Sequence, residues 1–434
     1  MPEKLSVFWF RRDLRLSDNH GLYQALVSGN KVLPIFIFDT EILSQLESKE
    51  DRRVDFIFQV LNDINNELEK TGKAIQIFHG KPLEIFQKLS ENYAIKEVFC
   101  NEDYEPSAIK RDLAVADFLT SKKIEFRSFK DQVHFHKNEI LKSDKTPYTV
   151  YTPYSKQWLL KYDAEQTESY QSEQYIHHFE NVERQEFSLE DIGFRSTELE
   201  FKSPNINEEI LKHYHKTRNF PATKTSEMSV HLRFGTSSVR RLAQTAASLN
   251  QTYLKELIWR EFFMQILYHF PKVVQQSFKA KYDGISWIND PENLKKWQTG
   301  KTGYPLVDAG MRELNETGLM HNRVRMVCAS FLTKHLLIDW RIGEAYFAEK
   351  LLDYDLSANN GNWQWSAGSG CDAAPYFRVF NPEEQQKKFD PDFVYIKKWI
   401  KEFGTSAYPK PMIDHKFARE RALESYKKGL QELL

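Results

Sequence analysis

SVFWF at Ser6–Phe10 and VLPIFIF at Val32–Phe38 are short, unbroken apolar runs. Neither alternates as a half-exposed strand does, and both are far too short to be buried helices. Three more short, mainly apolar runs follow: AIQIF at Ala74–Phe78, EVFC at Glu97–Cys100, and Ile124–Phe126. Between them the pattern turns amphipathic. In residues 55–68, Phe56, Val60, Leu61, Ile64 and Leu68 recur at helical spacing. Strands buried on both faces and separated by helices predict a parallel, doubly wound sheet with helices on either side. Residues 1–135 therefore read as an α/β, Rossmann-like domain. The segment after the first strand, RRDLRLSDN at Arg11–Asn19, holds no G-x-G-x-x-G. The dinucleotide fingerprint is absent, so the fold is predicted without the cofactor that usually goes with it.

Working outward, the character changes at about residue 136. Residues 136–200 are rich in Lys, Glu, Ser, Tyr and Gln and show little periodicity. A structureless loop of that length inside one compact domain is improbable on packing grounds, so this stretch reads as an interdomain connector. One short ordered piece is predicted near Thr152–Leu160. Residues 201–434 read as an all-α domain. YLKELIWREFFMQILYHF at Tyr253–Phe270 is one helix, stopped by Pro271, and NRVRMVCASFLTKHLLIDW at Asn322–Trp340 is predicted as another. Gly300-Lys301-Thr302 has the end of a phosphate loop, but Lys295 stands where the earlier Gly is needed and no strand precedes it.

A length of 434 residues suits two or three domains. The net charge of −1 gives no global signal for nucleic acid, although a balanced total is compatible with a local basic groove. Cys100, Cys328 and Cys371 are far apart and have no metal spacing, which fits reduced thiols and a cytoplasmic location. The N-terminus is charged within a few residues of its apolar run, unlike a signal peptide. No apolar run approaches a membrane span of roughly eighteen residues. The expected state is a monomer that does not engage membranes. Six of the nine tryptophans lie between Trp259 and Trp365.

That tryptophan-rich half contains DYDLSANNGNWQWSAGSGCDAAPYFRVFNP at Asp353–Pro382. Two carboxylates, an Asn pair, two tryptophans and a run of small residues suit a large flat ligand that backbone approaches closely. The stretch resembles the flavin-binding signature of the photolyase/cryptochrome family, with its N-N-G-x-W-Q-W and D-A-A-P-Y-F-R-x-F-N-P segments. FRRDLRLSDN at Phe10–Asn19, TSEMS at Thr225–Ser229 and KTGYPLVD at Lys301–Asp308 are similar to further family segments. Within the family the chain looks nearest to class I cyclobutane pyrimidine dimer photolyases.

The resemblance implies FAD as cofactor. Tyr214 and the loop of Thr225, Ser226, Glu227, Met228 and Ser229 would hold it at the pyrophosphate. Hydroxyls and amides at a helix start are suitable phosphate ligands, although TSEMS alone reads more readily as a helix cap. Arg325, Asp353, Tyr354, Asp355 and Asn359 would hold the ribityl chain and ring, with Asn359 at flavin N5. The neutral amide could accept or donate there. Arg325 is a natural partner for Asp353, because a buried carboxylate needs one. Trp259 would border both cofactor and substrate. Trp363, Trp340 and Trp287 match the family's electron relay; on spacing alone each reads as core.

Glu256 and Trp259 are three apart on one helix, and Asn322 and Met326 four apart on another, so each pair shares a face. With Trp365 they match the positions that face a cyclobutane dimer in DNA. Relatives that repair the (6-4) photoproduct carry a His in the Asn322–Met326 stretch. The DASH-type relatives tend to carry Gln at the position of Met326 and Tyr at that of Trp365. Arg323 and Arg378 match positions near the DNA backbone, where binding weakens as salt rises. The implied activity is light-driven repair of a dimer taken out of the duplex, with Glu256 donating a hydrogen bond in a dry pocket. The alternative is a blue-light photoreceptor of the cryptochrome type without repair; the dimer-facing set and the absence of a long C-terminal tail speak against it. A second, antenna chromophore is expected in the first domain. Ser107-Ala108 stand where folate-binding relatives have Asn-Glu, so folate, a deazaflavin, a flavin or none all remain open.

Overall fold

The structure, a computed structural model, describes residues 4–165 and 169–431. The chain forms two compact units, each built from separate stretches. One takes Met1–Ile140, Trp158–Ile206 and Glu227–Ser248; the other takes Leu141–Gln157, Asn207–Ser226 and Leu249–Leu434. The expected connector is thus shared out, most of it to the first unit.

In the first unit five parallel strands form one sheet: β1 (Leu5–Phe10), β2 (Lys31–Asp39), β3 (Gln76–Gly80), β4 (Ile95–Asn101) and β5 (Glu125–Phe129), in the order β3-β2-β1-β4-β5. Every residue of β1 is buried, as its uninterrupted apolar run requires. Val7, Trp9, Leu33, Ile35, Val98 and Cys100 pack with Phe86 and Leu89 of the helix Pro82–Asn92 and with Val115 and Leu119 of the helix Pro106–Ser121. Burying each large side chain contributes roughly 1.5–3 kcal/mol. The strand order reverses between β1 and β4, and the loop after β1 leaves at that point. Asn101, at the end of β4, pins the loop by donating from Nδ2 to Asp13 (2.6 Å) and to Asn19 Oδ1 (2.8 Å).

Farther along that loop lies a closed charge cluster. The Asp131 carboxylate accepts two bonds from Arg15 (both 2.7 Å) and one from Arg240 (2.9 Å). All three side chains are buried. Burial works against the charged form, yet the two arginines hold the Asp131 carboxyl down at about 2.

The second unit is helical. The long helix Gln251–His269 ends before Pro271, and Asn250 caps its start by accepting from the N–H groups of Thr252 (2.9 Å) and Tyr253 (3.3 Å). The stretch 322–340 is not one helix. An α-helix runs over Asn322–Ser330 and widens into a π-helical turn at Phe331–His335. Leu337 then takes a positive φ of 49°, and Asp339 caps a new helix, Trp340–Lys350, by accepting from Arg341 N–H at 3.0 Å. The apolar pattern runs straight through this corner, because Leu336, Leu337 and Ile338 are buried in the turn as they would be in a helix.

Two glycines allow close approach in this unit. A Cβ on Gly361 would lie 2.2 Å from the Phe263 ring, and one on Gly343 would lie 2.2 Å from the Trp363 indole. Gly300-Lys301-Thr302 closes on a side chain of the protein. Asp308 accepts from Thr302 N–H (2.8 Å), Thr302 Oγ1 (2.6 Å), Gly303 N–H (2.9 Å) and Tyr408 Oη (2.6 Å), which saturates the buried carboxylate.

Candidate functional site

A cleft of about 540 Å³ opens in the helical unit, lined by Asn322, Arg325, Met326, Asp353, Asp355 and Asn359 on its polar side. Ala329, Phe347, Leu351 and Trp363 line it on the apolar side. Three local features set these side chains. His321 caps the helix Asn322–Ser330 by accepting from Arg323 N–H at 3.1 Å, which starts that helix at Asn322. Asp355 caps Leu356–Ala367 by accepting from Ala358 N–H at 3.0 Å. Gln364 and Asn360 both donate to Val273 O, at 3.0 and 2.9 Å, and fasten that helix to the turn after Gln251–His269.

Arg325 donates from Nη2 to both oxygens of Asp353 (3.1 and 2.9 Å) and from Nε to Met320 O (2.7 Å). This fork holds a carboxylate that is 8% exposed at the cleft wall. Asn359 donates from Nδ2 to the backbone oxygen of Glu344 (3.1 Å) and to its carboxylate (2.9 Å). With both N–H bonds spent on Glu344, the atom left to Asn359 is its Oδ1, an acceptor. The amide that could accept or donate on sequence grounds is fixed here as an acceptor. Burial lifts the Glu344 carboxyl above its usual range, against the bond from Asn359.

A second cluster surrounds Glu256. Its carboxylate pairs with Arg218 at 2.6 Å, both side chains 28% exposed. Arg218 lies over the Tyr214 ring at 5.5 Å, and Tyr214 meets Tyr253 edge to face at 4.9 Å. Ser226 Oγ lies 3.0 Å from Tyr253 Oη. Trp259 is half-buried and stacks on Tyr151 with ring centres 3.6 Å apart and planes 5° from parallel. Tyr151 is itself tied down, donating from Oη to Lys255 O (2.9 Å) and from N–H to Asp372 (3.0 Å). Arg323 donates to Asn219 at 2.7 Å and feels Arg218 and Arg378 as like charges. Arg378 and the neighbouring Phe377 are exposed, and Trp365 is half-buried.

Trp363 and Trp340 are buried in one core cluster, and Trp287 packs against it half-buried. Arg341 covers the Trp340 ring at 4.7 Å. Of the expected phosphate loop, Thr225 and Ser226 belong to the helical unit and Glu227, Met228 and Ser229 to the first. Glu227 takes a positive φ of 55° and makes no side-chain cap bond to the helix Met228–Phe234. Tyr354 is half-buried beside Asp353 in the sequence and packs against the tryptophan core.

The mixture of polar and apolar side chains lining the cleft fits a flat ring system with donors and acceptors, which is the chemistry of a flavin ring. The sequence profile for the FAD binding domain of DNA photolyase matches residues 253–406, and that for DNA photolyase matches residues 6–172. The chain is 33% identical to a deoxyribodipyrimidine photo-lyase of Halobacterium salinarum, over 98% of this chain and 99% of that one. It is 33% identical to that of Escherichia coli, over 96% and 97%. The chain belongs to the DNA photolyase family. It is accordingly a flavoenzyme, with FAD as its cofactor.

Among solved structures, a bacterial class III photolyase from Agrobacterium tumefaciens superposes with a TM-score of 0.87 at 31% identity, covering 99% of this chain and 98% of that one. An archaeal photolyase from Sulfolobus tokodaii, solved with two FAD molecules, superposes at 0.80 and 31%, covering 98% and 100%. A second, light-harvesting chromophore is therefore compatible with the photolyase fold. Among the described residues no helix is long and apolar enough to cross a membrane, and no group of three His, Cys, Asp or Glu could hold a metal.

The sequence reading of this photolyase-family chain missed three contributors. Glu344 sits in WRIGEAYF, in the helix after Trp340, with no motif to mark it. Tyr151 lies inside the connector, directly before the ordered piece expected at Thr152–Leu160. Arg218 stands seven residues before Thr225, and no motif in the sequence pairs it with Glu256. Each works through a contact far away in the chain, and such contacts leave no local pattern.

Proposed function

We propose that this photolyase repairs cyclobutane pyrimidine dimers in DNA under near-UV or blue light. One observation carries the reading: Asn322 and Met326, the dimer-facing pair, line the same cleft as Asp353, Asp355 and Asn359, the flavin-facing set. A lesion and a flavin held by these residues would meet in one open cleft. When bound, the flavin supplies the excited electron that opens the cyclobutane ring and accepts it back.

The chain's own residues position and polarise. Arg325 and Asp353 form a fixed ion pair on the cleft wall, and Asn359, held by Glu344, offers an acceptor to a ring N–H. Asp355 is committed to its helix start, so it shapes the cleft more than it moves. Trp259, backed by Tyr151, and Trp365 offer flat faces to a flipped-out dimer, as aromatic side chains do for other extruded bases. Glu256, one turn before Trp259 and facing Tyr151, serves as the hydrogen-bonding group for the dimer's base edge. Arg323 and Arg378 hold backbone phosphates, so affinity falls with salt. Trp287, Trp340 and Trp363 carry electrons inward from the surface to the cleft, a route that recharges the enzyme and is separate from repair. The test is light-dependent recovery of base absorbance in an oligothymidine bearing cyclobutane dimers, with pre-reduced protein and a dark control. Recovery in the light alone is expected; no recovery with reduced FAD present would overturn the reading and move the chain toward a photoreceptor.

A further inference from the structure

The Arg218–Glu256 pair is held by fewer contacts than two other arginine pairs of the helical unit. Arg325 grips both oxygens of Asp353 and also bonds a backbone carbonyl, and Arg312 grips both oxygens of Glu402 (3.0 and 2.6 Å) and the Gly300 carbonyl (3.1 Å). Arg218 meets Glu256 through the single short contact, at the end of the helix Glu208–Thr217, with 28% of its side chain in solvent. Arg323 lies close enough to both Arg218 and Arg378 to feel each as a like charge, besides its own burial. Three guanidinium groups thus share one region with one carboxylate, and any phosphate reaching them competes with Glu256 for Arg218.

We propose that Arg218 couples phosphate binding to the protonation of Glu256: it keeps the carboxylate charged in the free protein and releases it to take up a proton when DNA backbone occupies the guanidinium. The inference rests on the repair reading above and adds the regulation of its hydrogen-bond donor. The physical chemistry is direct. A carboxylate has no hydrogen to give, so it cannot donate to a pyrimidine carbonyl; a carboxylic acid can. The groups facing Glu256 are Arg218 and Tyr214 from the helix Glu208–Thr217 and its end, Tyr151 from the helix Tyr151–Ala164, and Tyr253 one turn earlier on its own helix. Arg218 is the one cation among them. Burial already lifts the Glu256 carboxyl above its usual range, and Arg218 is what opposes that lift. All three tyrosines are themselves pushed up by burial and stay neutral. With Arg218 engaged by a phosphate, nothing in that shell stabilises the anion, and one proton enters from solvent per complex.

The sign follows from linkage. The complex holds one more proton than the free protein, so binding is strongest at low pH. Affinity falls by on the order of tenfold per pH unit between the free-state and bound-state values of Glu256, and levels off beyond the upper one. The experiment is calorimetric titration of the protein, in the dark, with an oligonucleotide bearing one cyclobutane dimer and with its undamaged twin. Each titration is run near neutral pH in buffers of different ionisation enthalpy. About one proton taken up with the damaged strand is expected, none with Glu256→Gln, and retained uptake with Arg218→Lys. Tight, damage-selective binding without proton uptake would overturn the coupling and leave the repair reading standing. Uptake that persists in Glu256→Gln would assign the proton elsewhere and overturn it too. Equal binding of damaged and undamaged strands would instead sink the repair reading on which the coupling rests. The wild-type titration decides the matter even if a variant folds poorly.

Discussion

Two arginine–carboxylate clusters in this protein look alike on paper and behave as opposites. At Asp131 one carboxylate is held by Arg15 and Arg240, and all three side chains are at most 7% exposed. At Glu256 one carboxylate is held by one arginine, and both remain 28% exposed. The carboxyl at Asp131 is driven down to about 2, whereas the one at Glu256 is lifted. The difference lies in how many partners offset the cost of burial. A saturated cluster fixes the fold. A cluster one partner short leaves a group whose charge a ligand can change.

The largest expected effect tests the saturated cluster. Asp131→Ala leaves buried Arg15 without a carboxylate and Arg240 with Asp18 alone, and the first unit should lose about 3–5 kcal/mol, read as a lower denaturant midpoint. A change under about 1 kcal/mol would put the cluster on a level with surface pairs. Next comes acid. The carboxyl of Asp131 is depressed in the folded state, so its contribution is full above the unfolded value near 4 and disappears as pH falls toward about 2. That loss amounts to about 2 kcal/mol, and a denaturation series from pH 5 to pH 2 should show it in the wild type and not in Asp131→Asn.

Smaller still is the stability effect of Glu256→Gln. Arg218 can turn to water, so the shift should stay within about 1 kcal/mol, while repair per absorbed photon becomes independent of pH. A large loss of stability would erase the contrast between the clusters. Arg378→Gln should leave stability unchanged and lower the salt slope of DNA binding by about one. An unchanged slope would remove Arg378 from the DNA face.

Much of the fold was legible because buried strands leave short apolar runs, and all five strands fall where SVFWF, VLPIFIF, AIQIF, EVFC and Ile124–Phe126 stand, within two residues at most ends, although the edge strand β5 is largely exposed. The break between Ser330 and Trp340 was not legible. No glycine or proline marks it, and the positive φ sits on Leu337. The only local sign is Asp339, a cap residue directly before Trp340. The site divides the same way. Asn322, Met326, Asp353, Asp355 and Asn359 came from contiguous motifs, and one cleft gathers them. The groups that set their chemistry did not. Glu344 fixes Asn359 across 15 residues, and Arg218 restrains Glu256 across 38 positions of sequence, contacts that only the fold creates.

The account's central claim is that one cleft presents a cyclobutane dimer to a flavin. Two oligonucleotides of the same sequence test it most directly, one with a cyclobutane dimer and one with a (6-4) photoproduct, each illuminated with pre-reduced protein. Restoration of the first in the light, with the second untouched, is what Asn322 and Met326 lining the cleft predict. Restoration of the second alone, or of neither, would contradict it.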